Sequence, residues 1–196
     1  MAKPLLTHFA QQEITYTGAE LRRGWLRAAF GLEGDAIAAF IGPCDIAPEH
    51  MVDLEDRAAG AKIYSRRMLH FIAEHADPDL ERAVLRQRLL VAIALECVHH
   101  QSGRFEVRRQ GLVLRRVAND LFWQGRKLSV SVATTSPASG LIHLGLNIIA
   151  EGAPVAAADL AELGIEPRSL AVEVMGAYAA EMASVAAAQQ KVRAVK

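Results

Sequence analysis

Cysteine is almost missing from this chain. Cys44 and Cys97 are the two in 196 residues, too few for a disulfide framework and without the paired spacing of a structural zinc site. Net charge is missing as well: Lys+Arg 22 balances Asp+Glu 22, with a pI near 7.1. No global field draws such a molecule to nucleic acid or to an anionic membrane, so charge-driven binding has to be local. Long apolar runs are also lacking. The longest, residues 89–95, is far short of the roughly 20 residues that span a bilayer, and the first ten residues contain His8 but no apolar h-region. These absences imply a reducing, cytoplasmic setting with neither nucleic acid nor membrane as a partner.

What is present is 52% hydrophobic composition, enough to bury one substantial core, and no repeat or low-complexity linker divides it. We expect a single domain over residues 1–196. Thr17 and Glu20 form a capping-box pattern ahead of Leu21, Trp25, Leu26 and Ala29, with Gly31 as the stop, which predicts a first helix. Residues 35–41 read as a short buried strand ended by Gly42-Pro43, and residues 45–60 as an acidic connection with one short helix. Ile63, Met68, Leu69, Phe71 and Ile72 suggest short strands around Arg66-Arg67.

Asp77 as N-cap, Pro78 at the first helical position and Gly103 beyond the end bracket a long helix. Its buried stripe is expected through Leu85, Leu89, Ala92, Ile93 and Cys97. From residue 105 to 148 the period changes to two, with turn signals at Gln110-Gly111, Gln124-Gly125 and 136–140, the pattern of an antiparallel meander. A crossing with a short helix near Asp159 then leads to an Ala-rich helix over about residues 169–192. The fold class is therefore α/β of the α+β kind, a mainly antiparallel mixed sheet packed by helices.

Alternation sorts residues 127–147 onto two faces. Leu128, Val130 and Val132 share one, and Lys127, Ser129, Ser131 and Ala133 the other. In the next strand Ile142, Leu144, Leu146 and Ile148 oppose Leu141, His143, Gly145 and Asn147. A hairpin at 136–140 places Ser131 opposite His143 or Gly145, so the polar sets join into one floor of small side chains. Such a floor is either the solvated face of a half-buried sheet or the base of a ligand site. The lack of Thr and Glu, which normally coat a solvated face, favours a site. Lys127 supplies a cation there, and His143 and Asn147 supply directional hydrogen bonds, a set suited to an anionic ligand. Arg104, Arg108, Arg109, Arg115, Arg116 and Arg126 flank this passage. Alternation lets at most about half of them face one pocket, where one or two could grip a phosphate.

Asn119-Asp120-Leu121, then Gly125-Arg126-Lys127-Leu128, then Leu144-Gly145-Leu146-Asn147-Ile148 occur in an order that resembles the catalytic domain of biotin protein ligases. Lys127, Ser129 and His143 are similar to the related arrangement in lipoate protein ligases. Upstream, the run from Asp35 through Gly42, Glu49 and Ile63 to Arg66-Arg67 and His70 also resembles the lipoate enzymes. The whole chain looks like a compact family of unknown function assigned to this same fold, the class II synthetase-like architecture.

The resemblance implies a function. Lys127 would contact the carboxylate and phosphate of an acyl-adenylate, stabilising charge as an acyl group passes to AMP and then to a carrier lysine. ATP and Mg would be substrates, a small carboxylate or its nucleotide conjugate the ligand, and an acyl-carrier protein the acceptor. Lys127 and His143 would be catalytic. Arg66, Arg67, His70, Asn119, Asp120, Ser129, Ser131, Gly145 and Asn147 would bind the ligand. The chain also departs from the pattern: Met68-Leu69-His70 follows Arg66-Arg67 directly, without a glycine-rich loop, and Ser129-Val130-Ser131 lacks a glycine after the lysine. Backbone N–H groups of such loops cradle anions, so the alternative is a noncatalytic ligand-binding or interaction domain that kept the fold. A third reading is a hydrolase or transferase acting on a ready-made conjugate, with His143 as base.

Other constellations are weaker. Asp45, Glu49, Asp53, Glu55 and Asp56 concentrate carboxylates, but their spacing fits no calcium loop and reads as a solvated acidic segment, with Asp53 and Asp56 a minor option for magnesium. We expect no resident metal. Cys44 reads as a small buried hydrophobe rather than a nucleophile, and His99-His100 as partners of a helix C-terminus.

Overall fold

A computed structural model of the chain describes residues 4–103 and 114–195. Arg104, Arg108, Arg109 and the Gln110-Gly111 turn lie outside the described residues. In chain order the elements are β1 (Leu6–Phe9), α1 (Trp25–Phe30), β2 (Ala36–Asp45), a 3-10 turn (Pro48–His50), α2 (Leu54–Ala58), β3 (Tyr64–His75) and α3 (Leu80–Ser102). They continue with β4 (Leu114–Val117), β5 (Asp120–Trp123), β6 (Arg126–Lys127), β7 (Ser129–Thr135), β8 (Gly140–Ile149) and α4 (Pro167–Gln189).

Among the described residues there is one five-stranded sheet of order β1-β2-β3-β8-β7, and β4, β5 and β6 form a small three-stranded one. Only β1 and β2 pair in parallel; the other neighbours are antiparallel. The result is the mixed, mainly antiparallel sheet packed by helices that the period changes imply.

Both faces of the large sheet are covered. On one, Ile37, Leu69, Phe71 and Leu144 pack with Leu90, Val91, Ala94 and Val98 of α3 and with Leu170, Val174 and Tyr178 of α4. On the other, Ala36, Ala38, Phe40, Met68 and Ile72 pack with Tyr16, Leu21 and Leu26 of the N-terminal segment. Double burial explains why β3 and β8 read as nearly continuous apolar runs. By length and composition α4 could cross a membrane, but its first turns bury Leu170, Ala171, Val174, Met175 and Tyr178 against the sheet.

Several local expectations are corrected. Glu20 does accept from the Thr17 N–H at 2.8 Å, but this closes a turn. The helix begins only at Trp25, behind Gly24 in the left-handed region at φ 71°. Gly42-Pro43 does not end β2, which runs to Asp45 across a bulge, because the N-terminal segment supplies the pairing there: Tyr16 N–H donates to the Pro43 carbonyl at 2.8 Å. The short strands around Arg66-Arg67 are one strand of 12 residues.

Asp79, not Asp77, caps α3, while Asp77 pairs with Arg82 and Arg86 at 3.1 and 3.0 Å. Ile93 and Cys97 are buried on α3 as expected, but the stripe runs mainly through Ala83, Gln87, Leu90, Ala94 and Val98, and Leu85 is 60% exposed. Apolar residues surround much of this helix, so periodicity does not single out the face that meets the sheet. Near Asp159 there is a turn rather than a helix, with the Asp159 carboxylate accepting from Ala150 and Glu162 N–H groups at 2.9 Å. The last helix ends at Gln189 rather than Val192.

The largest correction concerns the β7–β8 register. Val130 faces Gly145, Ser131 faces Leu144 and Val132 faces His143. Val130 and Val132 therefore share a face with His143 and Gly145, and Ser129, Ser131 and Ala133 lie on the α3 side. The cause is the tight turn: Ser136 N–H donates to the Ser139 carbonyl at 2.8 Å, leaving only Pro137-Ala138 at the tip. A two-residue tip shifts pairing by one from the register inferred for a longer loop, which exchanges the faces.

Gly42 is the tightest backbone position near this segment. A Cβ there would collide with the Ile14 carbonyl, a backbone atom that cannot rotate away. Gly42→Ala is expected to destabilise the fold by about 2 kcal/mol or more and to loosen residues 14–16. Chemical denaturation checks the first effect, and hydrogen exchange of the Ile14 and Tyr16 amides the second.

Candidate functional site

The turn before β5 carries the polar centre of the molecule. Ala118 adopts φ 54°, turning the chain so that Asn119 and Leu121 lie along β7. Asn119 Nδ2 donates to the Ser131 carbonyl at 2.8 Å, the Ser131 hydroxyl donates to the Asn119 carbonyl at 2.7 Å, and the Leu121 N–H donates to Ser129 Oγ at 2.8 Å. Gln87 of α3 also donates to Ser131 Oγ, at 2.9 Å. The Asn119-Asp120-Leu121 element is thus stitched to β7 by its outer residues. Asp120 sits between them, its Oδ2 2.9 Å from Lys127 Nζ.

This pair borders a cavity of about 350 Å³. Its polar lining includes Asn119, Asp120, Lys127 and Asn147, with His50, Asp53, Asp56 and Lys62 also present; Ile46, Met51, Val52, Ile63, Met68, Val130 and Val132 supply apolar wall, and Tyr16 and His143 also line it. Asn147 fixes the level of Lys127, since its Nδ2 donates to the Ala158 carbonyl at 3.1 Å and to the Lys127 carbonyl at 3.4 Å.

Asp120 Oδ1 is buried without a hydrogen-bond partner among the described residues. Burial raises the Asp120 carboxyl above its ordinary range, against the pull of Lys127 and Arg88. Lys127 itself remains about one-third exposed.

His143 and His70 form a buried pair, with His143 Nε2 3.0 Å from His70 Nδ1 and His70 Nε2 3.2 Å from the Gly42 carbonyl. Burial lowers His70 to about 3 and holds His143 well below the usual histidine range, so both rings are neutral near pH ~7. Tyr16 stacks on His143 with centroids 3.8 Å apart and planes 9° apart.

Of the residues singled out in the sequence, Asn119, Asp120, Lys127, Ser129, Ser131, His143 and Asn147 border this one cavity. Ser129 and Ser131 spend their hydroxyls on the stitching bonds. The others lie elsewhere. Arg66 and Arg67 are exposed and paired with Glu151 at 2.8 Å and Glu13 at 3.3 Å. His70 stands behind His143, and Gly145 lies under Met68, whose Sδ fills the space of a Cβ. Arg126 holds Glu162 at 2.6 Å and covers the Trp123 ring.

Asp53 and Asp56 also line the cavity, but Asp53 caps α2 by accepting from the Glu55 and Asp56 N–H groups. Among the described residues no cluster of three His, Cys, Asp or Glu suits a metal ion. Cys44 is buried and its thiol is pushed up to about 12 by burial, as expected of a small core residue. Tyr16, Met51, Tyr64 and Met68 were not legible as wall residues, because they come from irregular segments and from a strand buried on both faces.

The profile of a domain-of-unknown-function family, DUF366, matches residues 5–193. An uncharacterized protein of Methanocaldococcus jannaschii is 35% identical over 164 residues, 81% of this chain and 70% of the relative. A protein of unknown function from Pyrococcus horikoshi has a solved structure with TM-score 0.88 and 34% identity, covering 98% of this chain and all of that one. The biotin protein ligase of Leishmania major, solved in complex with biotinyl-5-AMP, superimposes with TM-score 0.57 at 13% identity, covering 93% of this chain and 76% of that one. At that identity the likeness shows the fold, which is biotin protein ligase-like as the motif order implies.

The Asp120–Lys127 pair yields a pH signature. An acid whose folded-state pKa is raised costs stability in its charged form; the cost is absent in acid and grows as pH rises through the carboxylate range. Deleting Lys127 removes a group that opposes this rise. Lys127→Ala is therefore expected to lose more thermal stability at pH ~7 than at pH ~4, and adding Asp120→Asn should restore part of the loss at the higher pH. Melting temperatures of the three proteins at both pH values check this.

Proposed function

We propose that this chain, which belongs to the DUF366 family of domains of unknown function, binds a small carboxylic acid or its nucleotide conjugate in the Lys127 cavity and activates or transfers its acyl group. The observation that carries the reading is the Lys127 ammonium, held by Asp120, on a cavity with extensive apolar wall; Lys62, a second lysine of the lining, lies over the Tyr64 ring. A volume near 350 Å³ lies within the range of small-molecule sites, about 300–1,000 Å³.

The chemistry follows from that polarity. A fixed ammonium at the edge of a desolvated site stabilises negative charge on a carboxylate or phosphoryl oxygen without reorganising as charge develops. Asp120 holds the ammonium until an anion displaces it. The apolar wall receives the acyl portion, and Asn119 and Asn147 border the polar end. His143, neutral and bonded to His70, donates no catalytic proton near pH ~7. ATP with Mg would be the co-substrate of activation and an acyl-carrier protein the acceptor, by analogy with enzymes of similar fold.

One observation favours a second reading. β3 runs unbroken from Tyr64 to His75, so no loop follows Arg66-Arg67 to wrap a phosphate with backbone N–H groups. A noncatalytic carboxylate-binding domain would have this form.

Exchange of labelled pyrophosphate into ATP, run with a panel of small carboxylic acids, separates the two. Acid-dependent exchange that disappears in Lys127→Ala is the outcome expected of an acyl-activating enzyme. Binding of an acid by calorimetry, lost in Lys127→Ala but without exchange, would leave the binding domain. If Lys127→Ala bound every acid as tightly as the unaltered protein, the cavity would not be the anion site.

A further inference from the structure

His143 holds a position that the charge-stabilising role of Lys127 does not use. The Gly42 carbonyl can only accept, so His70 Nε2, 3.2 Å away, carries the proton of that neutral ring. His70 Nδ1 is then an acceptor, and His143 Nε2, 3.0 Å from it, must donate. The second neutral ring is thereby fixed as well: its proton is on Nε2 and its lone pair on Nδ1. Tyr16 covers a face of the ring, and Nδ1 has no partner among the described residues. His143 is 1% exposed and yet forms part of the cavity wall.

Its place along the cavity sets what it can meet. Asn147 bonds to the Lys127 carbonyl, so Lys127 stands level with Asn147 on β8. His143 is four residues from Asn147 on the same strand, so the Lys127 backbone lies roughly 13 Å from it along β8, and the ammonium reaches part of the way back, to Asp120 beside Ser129 and Ser131. Val130 and Val132 lie beside it, so a plain acyl chain ending there satisfies the valines and leaves Nδ1 desolvated and unpaired.

We propose that His143 Nδ1 reads a hydrogen-bond donor at the far end of the ligand, so that the cavity selects a carboxylic acid carrying a remote hydroxyl or amide N–H over an unsubstituted acyl chain. His70 is the positioning residue that fixes the tautomer. The inference rests on Lys127 being the carboxylate end, as read above. Leaving a buried acceptor unpaired costs enough to reduce affinity about tenfold or more.

Calorimetric titration with 8-hydroxyoctanoate and octanoate tests it. The unaltered protein should bind the hydroxy acid about tenfold more tightly or better, and His143→Phe, which keeps a ring against Tyr16 but no acceptor, should bind both alike. Equal affinity of the unaltered protein for the two acids overturns the inference and leaves the Lys127 reading standing; failure to bind either acid overturns both. Long-range proton–nitrogen NMR of the ligand-free protein gives a check independent of any variant's folding: both rings should carry the proton on Nε2, and a proton on His143 Nδ1 overturns the proposal.

Discussion

The hydroxyls of Ser129 and Ser131 are the constraint on which the polar half of the molecule depends. They are small enough for α3 to pass close over β7, and they are bonded to the entry of β5, Ser131 to Asn119 in the turn before it and Ser129 to Leu121 within it. Replacing either with an apolar side chain would strand buried backbone groups of Asn119 or Leu121, whose desolvation is costly when unpaired. Because the bonds come from both sides of Asp120, its carboxylate has little freedom. Lys127, at the end of β6 and just ahead of the strand that carries the serines, therefore meets it at a defined distance.

Electrostatics then follow from burial. Near Asp120 desolvation and the attraction of Lys127 oppose each other, and desolvation is the larger effect, so the pair is less settled than an exposed ion pair. At the other end of β8 burial removes charge altogether: the two histidines are neutral and differ only in where each keeps its proton. One cavity thus joins an end that holds charge to an end that cannot, a gradient that orients an amphipathic ligand.

Packing accounts for residues that resemblance alone would assign to ligand contact. Gly145 is required by Met68, whose side chain occupies the space where a Cβ would be. Met68 in turn belongs to the cavity wall, so the glycine acts on the site through its neighbour. Arg66 and Arg67, on a strand that continues through their position, project to solvent and to Glu151 and Glu13. The absence of a loop after them is a property of β3, which pairs along nearly its whole length with β2 and β8.

The sequence by itself determined the α+β class, the long helix ahead of Gly103, the Gln124-Gly125 and 136–140 turns, and the motif order from Asn119 to Asn147. These rest on local chemistry: turn residues, period, and spacing of polar groups along a strand. Most of the candidate site was legible for the same reason, since Asn119, Asp120, Lys127, His143 and Asn147 do border one cavity. Only tertiary structure decided which face of β7 meets it. Alternation separates two faces but cannot rank them when both are buried, and the tip at Pro137-Ala138 moved the register by one. It also decided the buried side of α3, which depends on where β7 lies, and the wall residues Tyr16 and Met68, which reach the site from segments distant in the chain. Their positions follow from long-range pairing, Tyr16 with the bulged end of β2 and Met68 with Asn147, which no local pattern encodes.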